Sequence, residues 1–186
     1  MIQAFRFIMV LSVLTGVLYT GAITVIAQKW FPFQANGSIV YGPSGTTSSL
    51  LIAHAVTNDQ YFWPRPSATT PSYNASASGG SNLSPTNPAW QTLVSERVNV
   101  ISDTAHVAEI PADMVMASGS GLDPHISVAN ARIQLFRVAT ARGVSSEVIS
   151  ALVDSAIETP PFRWVGPQVV NVNKLNILLD RNVQLL

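Results

Sequence analysis

The stretch Phe7–Gln28, FIMVLSVLTGVLYTGAITVIAQ, constrains this chain more than any other, because no charge lies between Arg6 and Lys29. About 22 residues, or about 33 Å of helix, are enough to cross a hydrocarbon core of about 30 Å. An Asp, Lys or Arg at the centre of such a helix costs about 2.5–3.5 kcal/mol on insertion, and none is present. Beyond Lys29 the sequence turns polar and offers no second run of this kind. The plan predicted is residues 1–6 as a short cytoplasmic start, 7–28 as a transmembrane helix, and 29–186 as one domain.

A cleaved secretory signal is the competing reading. Arg6 supplies a basic start, and Val25-Ile26-Ala27 has the small-x-small form that a signal peptidase accepts. The apolar run, however, exceeds an ordinary signal core of about 7–15 residues. Ser12, Gly16, Thr20 and Thr24 also recur at every fourth position, which puts small and hydroxyl side chains on one helix face. A face of that kind lets a second transmembrane helix approach closely. The stripe therefore favours a retained span packed against partner helices. Arg6 with the amino terminus, against Lys29 alone, leans the positive-inside rule toward a cytoplasmic N-terminus, and Trp30, Phe31 and Phe33 suit an interfacial belt.

Charge narrows the partners. Ten Lys and Arg balance ten Asp and Glu, and charged residues make up 11% of the chain, against about 25% in ordinary soluble proteins. Such a chain has no basic surface for nucleic acid. It also lacks the self-repulsion that keeps an isolated domain soluble, so it suits a domain held at a membrane or against a partner. Cysteine is absent, which excludes disulfides, thiolate metal sites and a lipoprotein anchor.

The domain reads as mixed α/β. Asn36-Gly37 makes a turn, Ile39–Tyr41 is a short apolar stretch, and Leu50–Ala53 is a buried-strand candidate. Residues 59–88 are dense in Pro, Ser, Gly and Asn, yet Tyr61, Phe62, Trp63, Arg65 and Tyr73 run through them, which predicts an ordered irregular surface. Asn87-Pro88 opens a helix with Trp90, Leu93, Val94, Val98 and Ile101 on one stripe. Pro111 starts a short turn to Met116. Ser127 caps a helix ending at Gly143, with Val128, Ala131, Leu135, Val138 and Ala139 on its packed face and Arg132, Arg137 and Arg142 off it. A further helix from Ser146 to Glu158 packs Val148, Ile149, Leu152, Val153 and Ala156 before Pro160-Pro161. Val169–Val172 reads as a strand, and Leu175, Leu178 and Leu179 belong to a closing helix.

No catalytic constellation emerges. Ser120, Asp123 and His125 are neighbours in sequence, but the nucleophile-elbow pattern needs Gly at the place of Ser118. His54, His106 and His125 lack a second His or carboxylate at helical spacing, so each reads as an ordinary histidine and not a metal ligand. Gly79-Gly80 and Gly119–Gly121 have neither the Lys nor the strand of a phosphate-binding loop. They are predicted as tight turns where backbone must approach something closely.

Six motifs, taken in order behind the single span, carry a resemblance. They are QANGS at 34–38, YFWPRPSA at 61–68, SGGSNLSPTNP at 78–88, SGSGLDPHIS at 118–127, RVATARG at 137–143 and GPQVVNVNKLNILLD at 166–180. Together they resemble the KdpC family, the C subunits of the Kdp potassium-transporting P-type ATPase. The resemblance implies an ATP-driven, high-affinity K⁺ uptake complex of the bacterial plasma membrane that uses ATP, Mg²⁺ and K⁺. Its expected partners are a channel-like K⁺-translocating subunit, a P-type ATPase subunit, a small single-helix subunit and membrane lipid. The C subunit is expected to be a single-pass, non-catalytic accessory with no cofactor or metal of its own. Its N-terminus is expected in the cytoplasm and its main domain outside, and it is needed for assembly and activity.

A further family role, raising the ATPase subunit's affinity for ATP, is tied to a Leu-Ser-x-x-Gln-like stretch. The matching Val144-Ser145-Ser146-Glu147-Val148 has Val where Gln is expected, which speaks against direct nucleotide contact. Arg65, Gly79, Gly80, Asn82, Ser118, Gly119, Gly121, Asp123 and His125 fall in the family-motif loops and are expected to define the fold or face a partner. Arg65, Asn82 and Asp123 are expected to make polar contacts. The alternative is an independent membrane-anchored extracytoplasmic enzyme or binding domain.

Overall fold

The structure is a computed structural model and describes residues 1–43, 45–105, 109–162 and 164–183. It divides into two compact units, Met1–Ile39 and the chain from Val40 onward.

The first unit is one long helix, Ile2–Trp30, built of α1 (Ile2–Leu11), a π-wound middle (Ser12–Tyr19) and α2 (Thr20–Trp30). It runs past the uncharged stretch at both ends. Nearly all of it is exposed, and by length and composition it is a candidate membrane span. The threonines are satisfied within it: Thr15 Oγ1 donates to the Leu11 carbonyl at 2.7 Å, Thr20 to Thr15 at 2.8 Å and Thr24 to Thr20 at 2.8 Å. Phe31 leaves the helical region (φ −132°, ψ 50°), and Pro32 starts the single turn α3 (Pro32–Ala35).

The second unit is a mixed helix and strand domain. The strands β1 (Ile39–Tyr41) and β2 (Thr47–Ser49) pair with each other. The main sheet is antiparallel with order β3–β5–β4, from β3 (His125–Ser127), β4 (Ile157–Glu158) and β5 (Val169–Asn171). Ile126 and Ile157 both stand opposite Val170 on the central strand. Helices α6 (Val128–Arg142), α7 (Ser146–Ala156) and α8 (Val172–Asn182) pack against it. The core they close contains Phe62, Ile126, Val138, Ile149, Val153, Val170, Leu175 and Leu179. Two further helices, α4 (Pro88–Ala105) and the single turn α5 (Ala112–Val115), lie between the irregular segment and β3.

Local chemistry sets several boundaries. Asn87 Oδ1 accepts the Ala89 N–H at the start of α4. Ser127 Oγ accepts the Asn130 N–H at 3.0 Å, and α6 ends on Gly143 at φ 66°. Both are the end signals expected for these helices.

Several expectations need correcting. Leu50–Ala53 is not a strand: Leu51 and Ile52 are exposed, and only Ala53 is buried. Its Leu50 and Ile52 carbonyls are taken by side chains, Asn171 Nδ2 and Asn173 Nδ2, while the Ala53 N–H donates to the Leu122 carbonyl. Helix α7 ends at Ala156 and not at Glu158, because Ile157 turns extended (ψ 123°) to pair with Val170. Val148 faces solvent, while Ile149, Val153 and Ala156 are buried.

The long irregular segment is ordered by amides and guanidinium groups from the helices. Asn176 treats Phe62 as a strand neighbour would, accepting its N–H at 2.8 Å and donating to its carbonyl at 2.9 Å. Gln134 does the same for Trp63 at 2.7 and 3.0 Å. Arg137 spans the Asp59 and Tyr61 carbonyls, with its guanidinium 3.8 Å from the Trp63 ring centroid. Burial lowers its pKa to about 10. Backbone polar groups without a ladder must be paired in some other way, and here side chains do it. Arg142 is likewise not off the packed face but buried, donating to the Gln60 and Val183 carbonyls and to Asp180 at 2.7 Å.

Candidate functional site

The two Gly-rich segments, expected to approach something closely, approach each other. Gly79 N–H donates to the Ser120 carbonyl at 2.9 Å, and Ser78 Oγ donates to the same oxygen at 3.0 Å. A β-carbon on Gly80 would stand 3.0 Å from the Gly119 carbonyl oxygen. One on Gly121, whose φ is +69°, would stand 2.8 Å from the Gly79 oxygen and 2.6 Å from Thr69 Cγ2. At Gly121 only glycine fits both the conformation and the gap, whereas at Gly80 the constraint is the gap alone. Ser118 is buried inside the crossing, where its N–H reaches the Pro66 carbonyl and its Oγ accepts the Asp123 N–H at 3.4 Å. Asn82 holds a left-handed conformation (φ 52°).

From this crossing a line of charges runs across the sheet. Arg65 Nη1 lies 3.3 Å from Asp123 Oδ2. Asp123 Oδ1 accepts the His125 backbone N–H at 2.9 Å and stands 3.3 Å from its Nδ1. His125 Nε2 is 3.3 Å from Asn171 Nδ2 and 3.9 Å from Glu158 Oε2. Lys174 Nζ donates to Glu158 Oε1 at 2.9 Å. Burial alone would raise the Asp123 pKa, but the hydrogen bonds from His125 prevail and lower it. The hydrogen bond to Asp123 raises the His125 pKa against its own desolvation, with Glu158 adding to the rise.

Arg65 and Asp123 are thus joined to each other, whereas among the described residues the Asn82 side chain makes no hydrogen bond. Ser120 Oγ accepts the Leu122 N–H and takes no part in a Ser–His pair among the described residues. His54 borders the Ser48 hydroxyl at 3.4 Å, and burial lowers its pKa. His106 lies outside the described residues. Among the described residues no group of three His, Asp or Glu side chains is placed to hold a metal ion.

Val144–Val148 forms the approach to α7 and its first turn, with Ser145 at the N-cap position. The Glu147 carboxylate has a lowered pKa through its own backbone N–H and the Ser145 hydroxyl.

One surface escaped the sequence reading. Between β4 and β5, Phe162 and Trp164 stack with ring centroids 5.8 Å apart and planes 16° from parallel. They are 59% and 83% exposed, and Val165 beside them is also exposed. Gln168 Nε2 donates to Thr159 Oγ1 at 2.9 Å and closes the base of the loop. Its signal in the sequence is the aromatic pair set between Pro160-Pro161 and Gly166-Pro167. Contiguous exposed apolar surface of this kind marks an interaction site more often than chance.

In the span, π winding acts on the Ser12, Gly16, Thr20 and Thr24 stripe. A four-residue step in an α-helix overshoots a full turn by about 40°, so the stripe would drift about 120° from end to end. The wider turn of the Ser12–Tyr19 segment reverses the overshoot over two of the three steps. The stripe is straighter than an α-helix would make it.

The family model described as KdpC, K⁺-transporting ATPase c chain, matches residues 1–181. A potassium-transporting ATPase KdpC subunit of Geotalea uraniireducens is 46% identical over 180 residues, covering 96% of this chain and 95% of its own. Those of Variovorax paradoxus (47% over 173 residues, 91% and 90% covered) and Polaromonas naphthalenivorans (48% over 174 residues, 92% and 89%) are similarly close. The chain belongs to the KdpC family, the c chains of the K⁺-transporting ATPase, and is thereby an accessory subunit of a K⁺ uptake complex.

Proposed function

We propose that this chain is a single-pass, non-catalytic subunit that assembles and stabilises the K⁺ uptake complex, its N-terminus in the cytoplasm and its domain outside the bacterial plasma membrane. Residues 1–6, 7–28 and 29–186 are the cytoplasmic start, the span and the outer domain. In this reading the Ser12, Gly16, Thr20 and Thr24 stripe packs on a transmembrane helix of another subunit. Because Thr20 and Thr24 bond their own helix, that packing rests on close van der Waals approach at Gly16.

The observation that carries the reading is the exposed Phe162–Trp164 stack. A stacked aromatic pair with Val165 at its side is an anchor for an apolar pocket on a neighbouring subunit. The crossed loops of Arg65, Gly79, Gly80, Asn82, Ser118, Gly119, Gly121, Asp123 and His125 hold the domain's shape behind it. The channel-like subunit, the P-type ATPase subunit, the small single-helix subunit and lipid are its partners. ATP, Mg²⁺ and K⁺ are handled by those subunits, and this chain holds no cofactor. Any effect on ATP affinity passes through subunit contacts, since Val144–Val148 leads into and begins a helix and has Val148 where Gln is expected.

The test is co-purification of tagged full-length chain from native membranes in mild detergent. A P-type ATPase, a large polytopic protein and K⁺-stimulated ATP hydrolysis should come with the wild-type chain and be lost with Phe162→Ala/Trp164→Ala. Recovery of the wild-type chain alone, or an unchanged yield from the double variant, defeats the reading.

A further inference from the structure

We propose that His125 is a proton-operated latch that switches between the central strand and the outer strand β4, and so sets how firmly the Phe162–Trp164 loop is held. The proposal rests on reading that loop as a docking surface.

The ring sits between groups of fixed polarity. On the Nδ1 side Asp123 Oδ1, at 3.3 Å, can only accept while ionised, so Nδ1 carries hydrogen in either charge state. On the Nε2 side, Asn171 Nδ2 lies at 3.3 Å, directly across from His125 in the strand register. The Asn171 amide cannot turn round. Its Oδ1 accepts the Lys174 N–H at 3.2 Å, which caps α8, and its Nδ2 donates to the Leu50 carbonyl at 2.8 Å. A neutral ring therefore offers Nε2 as acceptor to Asn171. A protonated ring sets N–H against N–H there, and the contact becomes repulsive.

The other group within reach is Glu158 Oε2 at 3.9 Å. It stands on β4, beyond the central strand. Protonation thus replaces a bond to the centre of the sheet with a charge-assisted one from β3 to β4 across it. The charged groups around the ring are Asp123, with Arg65 behind it, from the loop, Glu158 from β4, and Lys174 of α8, which holds the other Glu158 oxygen at 2.9 Å. Thr159, the next residue after Glu158, is the first of the aromatic loop. The neutral ring leaves that stem to the Gln168–Thr159 bond, the β4–β5 pairing and the Lys174–Glu158 pair, without a tie to β3.

The test is a pH titration of the full-length chain in nanodiscs without partner subunits. Histidine-ring and fluorotryptophan NMR signals are read together, with His125 and Trp164 assigned by His125→Gln and Trp164→Phe. The expected result is a Trp164 signal that moves with the His125 midpoint, above the ordinary 6.5. The Trp164 response should vanish in His125→Gln. In Glu158→Gln it should vanish while His125 still titrates, at a lower midpoint. A Trp164 signal flat while His125 titrates, or one that survives either substitution, overturns the latch. Because no partner is present, that failure is separate from failure of the docking reading, which stands or falls on co-purification.

Discussion

Two polar regions of the domain solve opposite problems. On the α6–α8 side, Asn130, Gln134, Asn171, Asn173, Asn176 and Arg142 are buried, and all but Asn130 bond backbone groups between residues 49 and 63. Along the charge line, the side chains of Arg65, Asp123, His125, Glu158 and Lys174 are roughly a quarter to two-fifths exposed and bond mainly one another. A buried amide has nowhere else to turn, so it fixes a conformation. A half-exposed ion has water as its alternative, so its pairing contributes little to stability and remains free to change. The first region specifies the fold; the second is able to respond.

Substitutions should separate the two regions by size of effect. Arg142→Ala should cost the most, about 3–5 kcal/mol, because it leaves Asp180 without its buried cation. Denaturant unfolding of the full-length chain in micelles measures it, and a loss under about 1 kcal/mol would erase the distinction. Asn176→Ala should follow, at about 2–4 kcal/mol, since the Phe62 N–H and carbonyl both lose their partner in a dry site. Asp123→Asn should cost less than about 1 kcal/mol in the same assay, as a screened, half-exposed pair does.

The smallest effect is the pH dependence of the charge line. His125 has a folded pKa raised above 6.5, so its contribution is complete below that value and is lost as pH rises through the folded pKa. Asp123 has a folded pKa lowered below 3.8, so its contribution is present above 3.8 and is lost as pH falls through the folded pKa. Stability should therefore be greatest between the two. His125→Gln should flatten the decline on the alkaline side, by well under about 1 kcal/mol. A melting temperature that rises through neutral pH would reverse the sign and refute the assignment.

The parts legible in sequence were those set by local chemistry. Ser127 and Gly143 bound α6 because a cap and a left-handed residue act over one turn, and Asn87-Pro88 opens α4 for the same reason. Asn171, Asn173 and Asn176 were missed because their partners, Leu50, Ser49, Ile52 and Phe62, lie more than a hundred residues away. Three asparagines inside an otherwise apolar VVNVNKLNILL run in a sparsely charged chain were the available sign of buried amides. Leu50–Ala53 failed as a strand through the same long-range bonds. Arg142 was placed off the packed face because helical position alone does not disclose a carboxylate on another helix. Of the candidate site, the close approach at Gly121 could be read from residue type, whereas the partner of that approach could not.

The Arg142 pair also bears on how the chain is made. Its partners, Asp180 and the Val183 carbonyl, are synthesised about forty positions later, and α8 brings with it the amides that organise residues 49–62. Until α8 has been translated and has emerged, the helix that carries Arg142 has no neutralising neighbour and the early irregular segment has no template. The domain should therefore close late and at once, when α8 is available to dock, and not piecemeal.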